Sequence, residues 1–389
     1  MAQRIKSRRR KAVKKQAVHY FDYSLLAIII FLMCFGLVML YSISSYEART
    51  EYGDGMYFLK RQGLIGLGSI VAMMWVSRLD YHMFSKYAAM SYWGSMLLLA
   101  LVKFTPLGIE VNGARRWFRL PANQSFQPAE IMKIAVIIFI PYLICRMGNK
   151  VHTLKGSLGV VEWGGLAALG VYVLTDNLSS AIIVMGISCC ILFVVHKKQK
   201  IFLWIAGGGL AVFVAGSYIL GRLLENSPSF RLRRIIAWLN PEKYASTISF
   251  QTVQGLYAIG SGGFFGKGLG NGVQKTVIPE VQNDMILSAI CEELGVFGAI
   301  IILVLFGLLI YRLLFIAQNA PDLYGALIMT GIMSHIAIQV ILNVMVVTNM
   351  MPNTGITLPF ISYGGTSILF LMIEMGMALG ISRRIKLEG

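Results

Sequence analysis

The stretch YSLLAIIIFLMCFGLVML, Tyr23 to Leu40, runs for eighteen residues without a charge. About 20 apolar residues in a helix cross the hydrocarbon core of a bilayer, so this stretch reads as a membrane span. A basic tail precedes it (Arg4, Lys6, Arg8, Arg9, Arg10, Lys11, Lys14, Lys15), as in a secretory signal. The run is too long for the apolar region of a signal and no small-residue cleavage site follows it, so it is read as a retained span. The rest of the chain repeats the pattern. Of its 389 residues 56% are hydrophobic and 14% charged, and the mean hydropathy is +0.67. That is too little polar surface to cover a soluble globule of this size.

Ten candidate spans follow, near residues 22–44, 62–78, 87–105, 129–145, 158–174, 179–195, 201–221, 284–311, 323–347 and 364–382. The expected fold is an all-α integral membrane protein. It consists of a basic tail (1–21), one ten-helix domain (22–382) and a short second tail (383–389). An even number of spans puts both termini on one side. Taking that side as cytoplasmic places the basic tail, Arg78, Lys86, the Arg146/Lys150/Lys155 loop, Lys197, Lys198, Lys200, Arg312, Arg383, Arg384 and Lys386 inside, as the positive-inside rule requires. Topology therefore accounts for most of the net charge of +17, and no nucleic-acid partner is expected. The five cysteines lie in or beside apolar runs, without C-x-x-C spacing, and read as packing residues.

Two outer loops break the charge rule: Pro106 to Pro128, with Arg115, Arg116 and Arg119, and a long extracytoplasmic loop between the seventh and eighth spans, residues 223–283. A third polar stretch, Thr348 to Gly365, lies between the last two spans. Within the long loop, RLRRIIAWLN sets Leu232, Ile235, Ile236 and Leu239 at i, i+3, i+4 and i+7, the spacing of a helix lying in the membrane interface. Its arginines read first as structural support. The following AIGSGGFFGKGLGNG is no P-loop, because Gly268 follows Lys267 where Ser or Thr is needed and no strand precedes it. Tight backbone turns are expected there, with backbone amides for an anion as the second reading.

VIPEVQNDMILSAICEELG, Val277 to Gly295, then places Asp284, Glu292 and Glu293 at the head of an apolar span. Asp284, Ser288, Cys291 and Glu292 share one side of a continuous helix, a polar stripe that implies a cavity open to the outer face. Lys133, three residues after Glu130 at the start of the fourth span, and the arginines of the preceding loop are the candidate cations for it. Gln339 and Asn343, at i and i+4 in the ninth span, read as helix-packing hydrogen bonds. His335 has no partner in view.

Three long segments, NGARRWFRL with SFQPAEIMKIA (Asn112 to Ala135), AIGSGG through CEELG (Ala258 to Gly295) and MPNTGITLPFISYGGTS (Met351 to Ser367), resemble the shape, elongation, division and sporulation (SEDS) proteins, closest to the FtsW and SpoVE branch. The resemblance runs nearly the whole chain. It implies a peptidoglycan glycosyltransferase that polymerises lipid II at the outer face of the bacterial plasma membrane, at the division septum. Its implied partners are a class B penicillin-binding transpeptidase and other divisome membrane proteins. By position Asp284 matches the family's essential acid, and Glu130 and Lys133 its E-x-x-K pair. The family's Pro-Asp before Leu-Gly-Thr is here Thr175, Asp176, Asn177, Leu178, Ser179, Ser180, so no role is carried over to that turn.

Joining an α-linked sugar diphosphate to a β-1,4 bond inverts the reacting carbon. That needs one base for the acceptor hydroxyl and stabilisation of the departing diphosphate, without a covalent intermediate. Asp284 is the expected catalytic residue. Glu130, Lys133, Arg115, Arg116 and Lys275 are the expected substrate-binding residues, and Mg²⁺ or Mn²⁺ on Asp284 is the expected cofactor, if any. Two other readings use the same features: a flippase for the lipid-linked precursor, and a non-catalytic scaffold that activates its transpeptidase. No inverted repeat is seen, and the polar motifs gather on one face, which favours the enzyme.

Overall fold

The computed structural model describes residues 18–111, 114–120, 124–200, isolated positions between 202 and 219, and 230–387. The first seventeen residues, most of the seventh expected span and the beginning of the long loop lie outside the described residues. Helices occupy the other expected spans: α1 (Tyr23–Tyr52), α2 (Tyr57–Val76), the short α3 (His82–Lys86), α4 (Ala88–Phe104), α5 (Pro128–Met147), α6 (Leu154–Thr175) and α7 (Leu178–Val195). Beyond these come α8 (Phe230–Leu239), α9 (Phe250–Gly262), α10 (Ile286–Gln318), α11 (Leu323–Val347) and α12 (Ser367–Ser382). Among the described residues six helices, α1, α5, α6, α7, α10 and α11, are long and apolar enough to cross a membrane, and α4 and α12 are shorter apolar helices. The chain is a multi-pass membrane protein.

Polar side chains set the helix starts. Asp22 accepts from Leu25 N at 2.8 Å to begin α1, Asn177 from Ser180 N at 3.0 Å to begin α7, and Asp322 from Gly325 N at 2.7 Å to begin α11. Each occupies an amide that helix geometry leaves without a partner. α11 and α5 form the buried centre, with α11 packed against α5, α7 and α10, while α12 lies along α2. The faces of α2 with Leu64, Leu67, Val71 and Trp75 are exposed, as expected of a surface that meets lipid.

The loop after α4 is more ordered than a connector. β1 (Gly108–Val111), β2 (Ala114–Leu120) and β3 (Gln124–Phe126) form an antiparallel sheet in that order, with Phe118 opposite Phe126. At the other end of the bundle Val18 pairs with Leu387 in a two-residue ladder, so the two ends of the described chain meet.

The largest departure from expectation is in α10, which is not one helix. Gly295 sits at φ 73° and ψ −176°, dividing a buried half-helix from the long span after it. Apolar surroundings offer no water to the backbone groups such a break frees. The glycine-rich segment takes them instead: Lys267 N and Gly268 N donate to the carbonyls of Glu292 and Glu293, both at 2.9 Å, while Val296 N and Phe297 N donate to Gly263 O and Phe264 O at 3.0 and 3.1 Å. This contact leaves no room for side chains. A Cβ on Gly262 would collide with Cys291 O, and one on Gly266, itself at φ 78°, with Glu293 O.

Gly262→Ala is therefore expected to cost at least about 1–3 kcal/mol, the range for overpacking, and to lower the melting temperature in detergent. Gly260→Ala, two residues earlier on an open face of α9, is expected to leave melting unchanged or raise it slightly. Equal melting of the two variants would contradict this account of the break.

Candidate active site

The charges of the glycine-rich segment are spent on closing the break. Glu292 is fully buried and accepts from Lys267 Nζ at 2.7 Å and from the amides of Val273 and Gln274, both at 3.0 Å. The anion held by the backbone amides of this loop is thus a side chain of the protein itself. Glu293 accepts from Lys275 Nζ at 2.9 Å and from Ser42 Oγ of α1 at 2.5 Å. Lys275 also donates to Gly270 O at 2.7 Å and Ser42 O at 3.0 Å, which fills the three donors of an ammonium. Lys275, expected among the substrate contacts, is placed in the scaffold. The stripe expected from Asp284 to Glu292 is likewise divided, because Ser288 turns back to Met285 O and Glu292 faces the loop.

Asp284 lies two residues ahead of α10. Asn343 Nδ2 donates to its carbonyl at 2.9 Å and to Ile356 O at 2.7 Å, which ties the aspartate to the segment between α11 and α12. In that segment Gly355 has φ 68°, a left-handed conformation that favours glycine, and its Cβ position falls 3.9 Å from Asp284 Oδ2. Protein crowds Asp284, which stays partly exposed. Burial pushes its pKa up to about 6; hydrogen bonds from its own amide and that of Met285 and the charge of Arg234 oppose this, and Glu280 adds to it.

Arg234 comes from α8, the interfacial helix expected from the spacing of its apolar residues. It donates to Asn353 O at 3.1 Å, and Trp238 Nε1 donates to Asn349 O at 2.9 Å, so α8 lies across the α11–α12 segment. Burial, and next the neighbouring Arg116 guanidinium, pull Arg234 below its ordinary pKa, while Asp284 opposes them. Arg116 is fixed by donation to the carbonyls of Thr175 and Asp176 at 3.2 and 2.9 Å. A cavity of about 150 Å³ lies against Arg234 and is lined also by Trp238, Ser249, Gln251, Asn349 and Asn353.

Arg234 thus interacts electrostatically with both Asp284 and Arg116, side chains from three separate segments. Arg115 points elsewhere, to Glu110 at 3.5 Å on the exposed side of the sheet. Glu130 and Lys133 form a buried ion pair at 2.8 Å in the first turns of α5. The cation coupled to Asp284 is accordingly Arg234, and Lys133 is engaged with Glu130. Sequence reading took the arginines of α8 together, since spacing within the helix does not reveal which one acts on the aspartate.

A family model described as "Cell cycle protein", covering FtsW, RodA and SpoVE, matches residues 23–387. The chain belongs to this family. It is 36% identical over 94% of its length to the probable peptidoglycan glycosyltransferase FtsW of Trichlorobacter lovleyi, covering 94% of that protein. To stage V sporulation protein E of Bacillus subtilis it is 35% identical, with 93% of this chain and 97% of the other covered. Among solved structures, a chain from work on structural coordination of polymerization and crosslinking by a peptidoglycan synthase complex matches with a TM-score of 0.75 and 25% identity, covering 93% of this chain and 98% of that one. Thermus thermophilus RodA shares the fold with a TM-score of 0.67 at 24% identity, covering 95% and 98%.

The Glu130–Lys133 pair gives a direct test of its share in stability. Removing one partner of a buried pair leaves an uncompensated charge and typically costs about 3–5 kcal/mol. Lys133→Met alone is expected to melt well below the wild type, and Glu130→Gln with Lys133→Met to recover most of the loss. Activity lost in a double variant that melts normally assigns the pair a role beyond folding.

Proposed function

We propose that this family member is a peptidoglycan glycosyltransferase that polymerises lipid II, with Asp284 as its general base. The observation that carries the reading is the partly exposed Asp284, its carboxyl raised toward neutrality by burial and acted on by the charge of Arg234, which neighbours Arg116. An aspartate near a helix start is ordinarily too acidic to be an effective base, and burial offsets this. Asp284 takes the proton of the acceptor hydroxyl as its oxygen attacks the anomeric carbon of the donor. The bond from that carbon to the diphosphate breaks, and undecaprenyl diphosphate leaves with the electron pair. Arg234 and Arg116 meet the charge that develops on the leaving group, and the anomeric centre inverts.

The described residues contain no group of three acidic, histidine or cysteine side chains suited to a metal. Asp284 with a substrate diphosphate fits a Mg²⁺ or Mn²⁺ ion that arrives with the substrate, since such ions use one or two carboxylates plus phosphate oxygens. An ion so held would neutralise phosphate charge. Ten spans, both termini in the cytoplasm and the site at the outer face of the plasma membrane, working at the septum with a class B penicillin-binding transpeptidase, complete the proposal. A broken span is also a feature of carriers, but four of the backbone groups freed at Gly295 are taken by the glycine-rich segment and are not offered to cargo.

Purified protein with lipid II and a divalent cation, with and without the transpeptidase, is expected to give glycan strands on a gel, and Asp284→Asn to give none. Strands from both would remove Asp284 from the centre of the reaction, and none from the wild type with its partner would remove the reaction. Polymerisation is expected to rise about tenfold per pH unit up to about 6 and then level. The folded state binds the Asp284 proton more tightly than the unfolded chain, with its ordinary value of 3.8. The associated stability is present at low pH and lost as pH rises through about 6. Asp284→Asn is thus expected to melt no lower than the wild type at pH 7.

A further inference from the structure

α11 carries His335, Gln339 and Asn343 at four-residue spacing, which aligns them on one face over about 12 Å of helix. All three are buried, at 1%, 5% and 0% exposure, and each reaches a different segment. His335 Nδ1 lies 2.8 Å from Glu374 Oε2 in α12, and Gln339 Nε2 donates to Thr357 O at 3.0 Å. Asn343 makes the two hydrogen bonds already described, so one amide joins backbone positions 284 and 356.

Each of these side chains keeps a second buried polar atom, His335 Nε2, Gln339 Oε1 and Asn343 Oδ1, for which the described residues supply no partner. A buried polar atom without a partner costs stability that an apolar residue of similar size would not. Helix packing alone therefore does not account for three polar residues in succession on this face. Their donors agree in direction: from Gln339 and Asn343 they reach carbonyls of the segment that crosses Asp284.

We infer that Asn343 is a positioning residue for Asp284. Its amide fixes the Asp284 backbone to the Ile356 carbonyl, so the carboxylate is presented at one place beside Gly355 and Arg234. Gln339 and the His335–Glu374 contact hold α11 at the rotation that keeps the amide there. The catalytic half of this inference rests on Asp284 acting as proposed above; the structural half does not.

The full-length protein in detergent carries the test, as Asn343→Leu and Asn343→Gln beside the wild type. Hydrogen exchange followed by mass spectrometry is expected to show Asn343→Leu exchanging about tenfold faster in peptides covering 280–288 and 351–361, as loss of a hydrogen bond implies, with α5 and α12 unchanged. The turnover number with lipid II is expected to fall tenfold or more while KM changes less than about twofold, the pattern of an interaction made in the transition state.

Exchange at the wild-type rate in both segments of a folded Asn343→Leu overturns the inference whatever the activity. Faster exchange with wild-type turnover overturns its catalytic half. Should Asn343→Leu not fold, Asn343→Gln decides, since its amide is kept but displaced by one methylene: wild-type turnover there overturns the inference, and reduced turnover at normal melting supports it. A wild type that makes no polymer sinks the proposed function, and the exchange comparison still decides whether Asn343 joins the two segments.

Discussion

Everything at the site end of this protein depends on closing one break in a membrane helix. At Gly295 the chain leaves helical geometry where neither water nor lipid can bond to the freed backbone. The glycine-rich segment folds back to supply the missing partners, and it can do so only because Gly262, Gly266 and Gly295 let two backbones touch. The half-helix before the break is thereby held among α1, α9 and α11, and the turn that starts it carries Asp284. The aspartate owes its position to a repair of backbone hydrogen bonding some ten residues away.

The same repair engages two of the buried acids, and others are paired elsewhere. A carboxylate placed in a membrane protein without a partner is costly, and Glu292, Glu293, Glu130 and Asp22 each have a cation within 2.9 Å. Glu292 and Glu293 are consecutive and both reach the glycine-rich segment beside Gly272, where one holds the loop by its amides and Lys267 while the other reaches α1 through Lys275 and Ser42. Asp284 is handled differently. It stays partly exposed, and the energetic pressure of burial appears as a raised pKa.

Much of this was legible in the sequence, because a bilayer imposes a length and a polarity that composition records directly. The apolar runs located the helices, and the spacing of Ile235, Ile236 and Leu239 located α8. The break at Gly295 was not legible, since Ile286 to Gln318 is apolar on both sides of one glycine and hydropathy is blind to φ. A second miss lies at the start of the span: the expected stripe assumed a helix running through Asp284, whereas the helix begins at Ile286 and Glu292 faces the loop. Lys275 and Arg234 show the same limit from opposite directions. One basic residue in a functional-looking loop is spent on Glu293, and another in a plain amphipathic helix is brought to the aspartate by the fold of the 348–365 segment.

The pairing of Arg116 with Arg234 has a consequence for how the site is used. Arg116 is anchored on the carbonyls of Thr175 and Asp176, in the turn that departs from the family pattern, and so holds its place near Arg234 despite the like charge. Two neighbouring arginines favour the binding of an anion, and the low dielectric of a membrane-bordered pocket strengthens the attraction. In the reaction proposed above, the donor diphosphate would meet this attraction in the ground state and more strongly as its bond to the sugar breaks and charge gathers on the leaving oxygens.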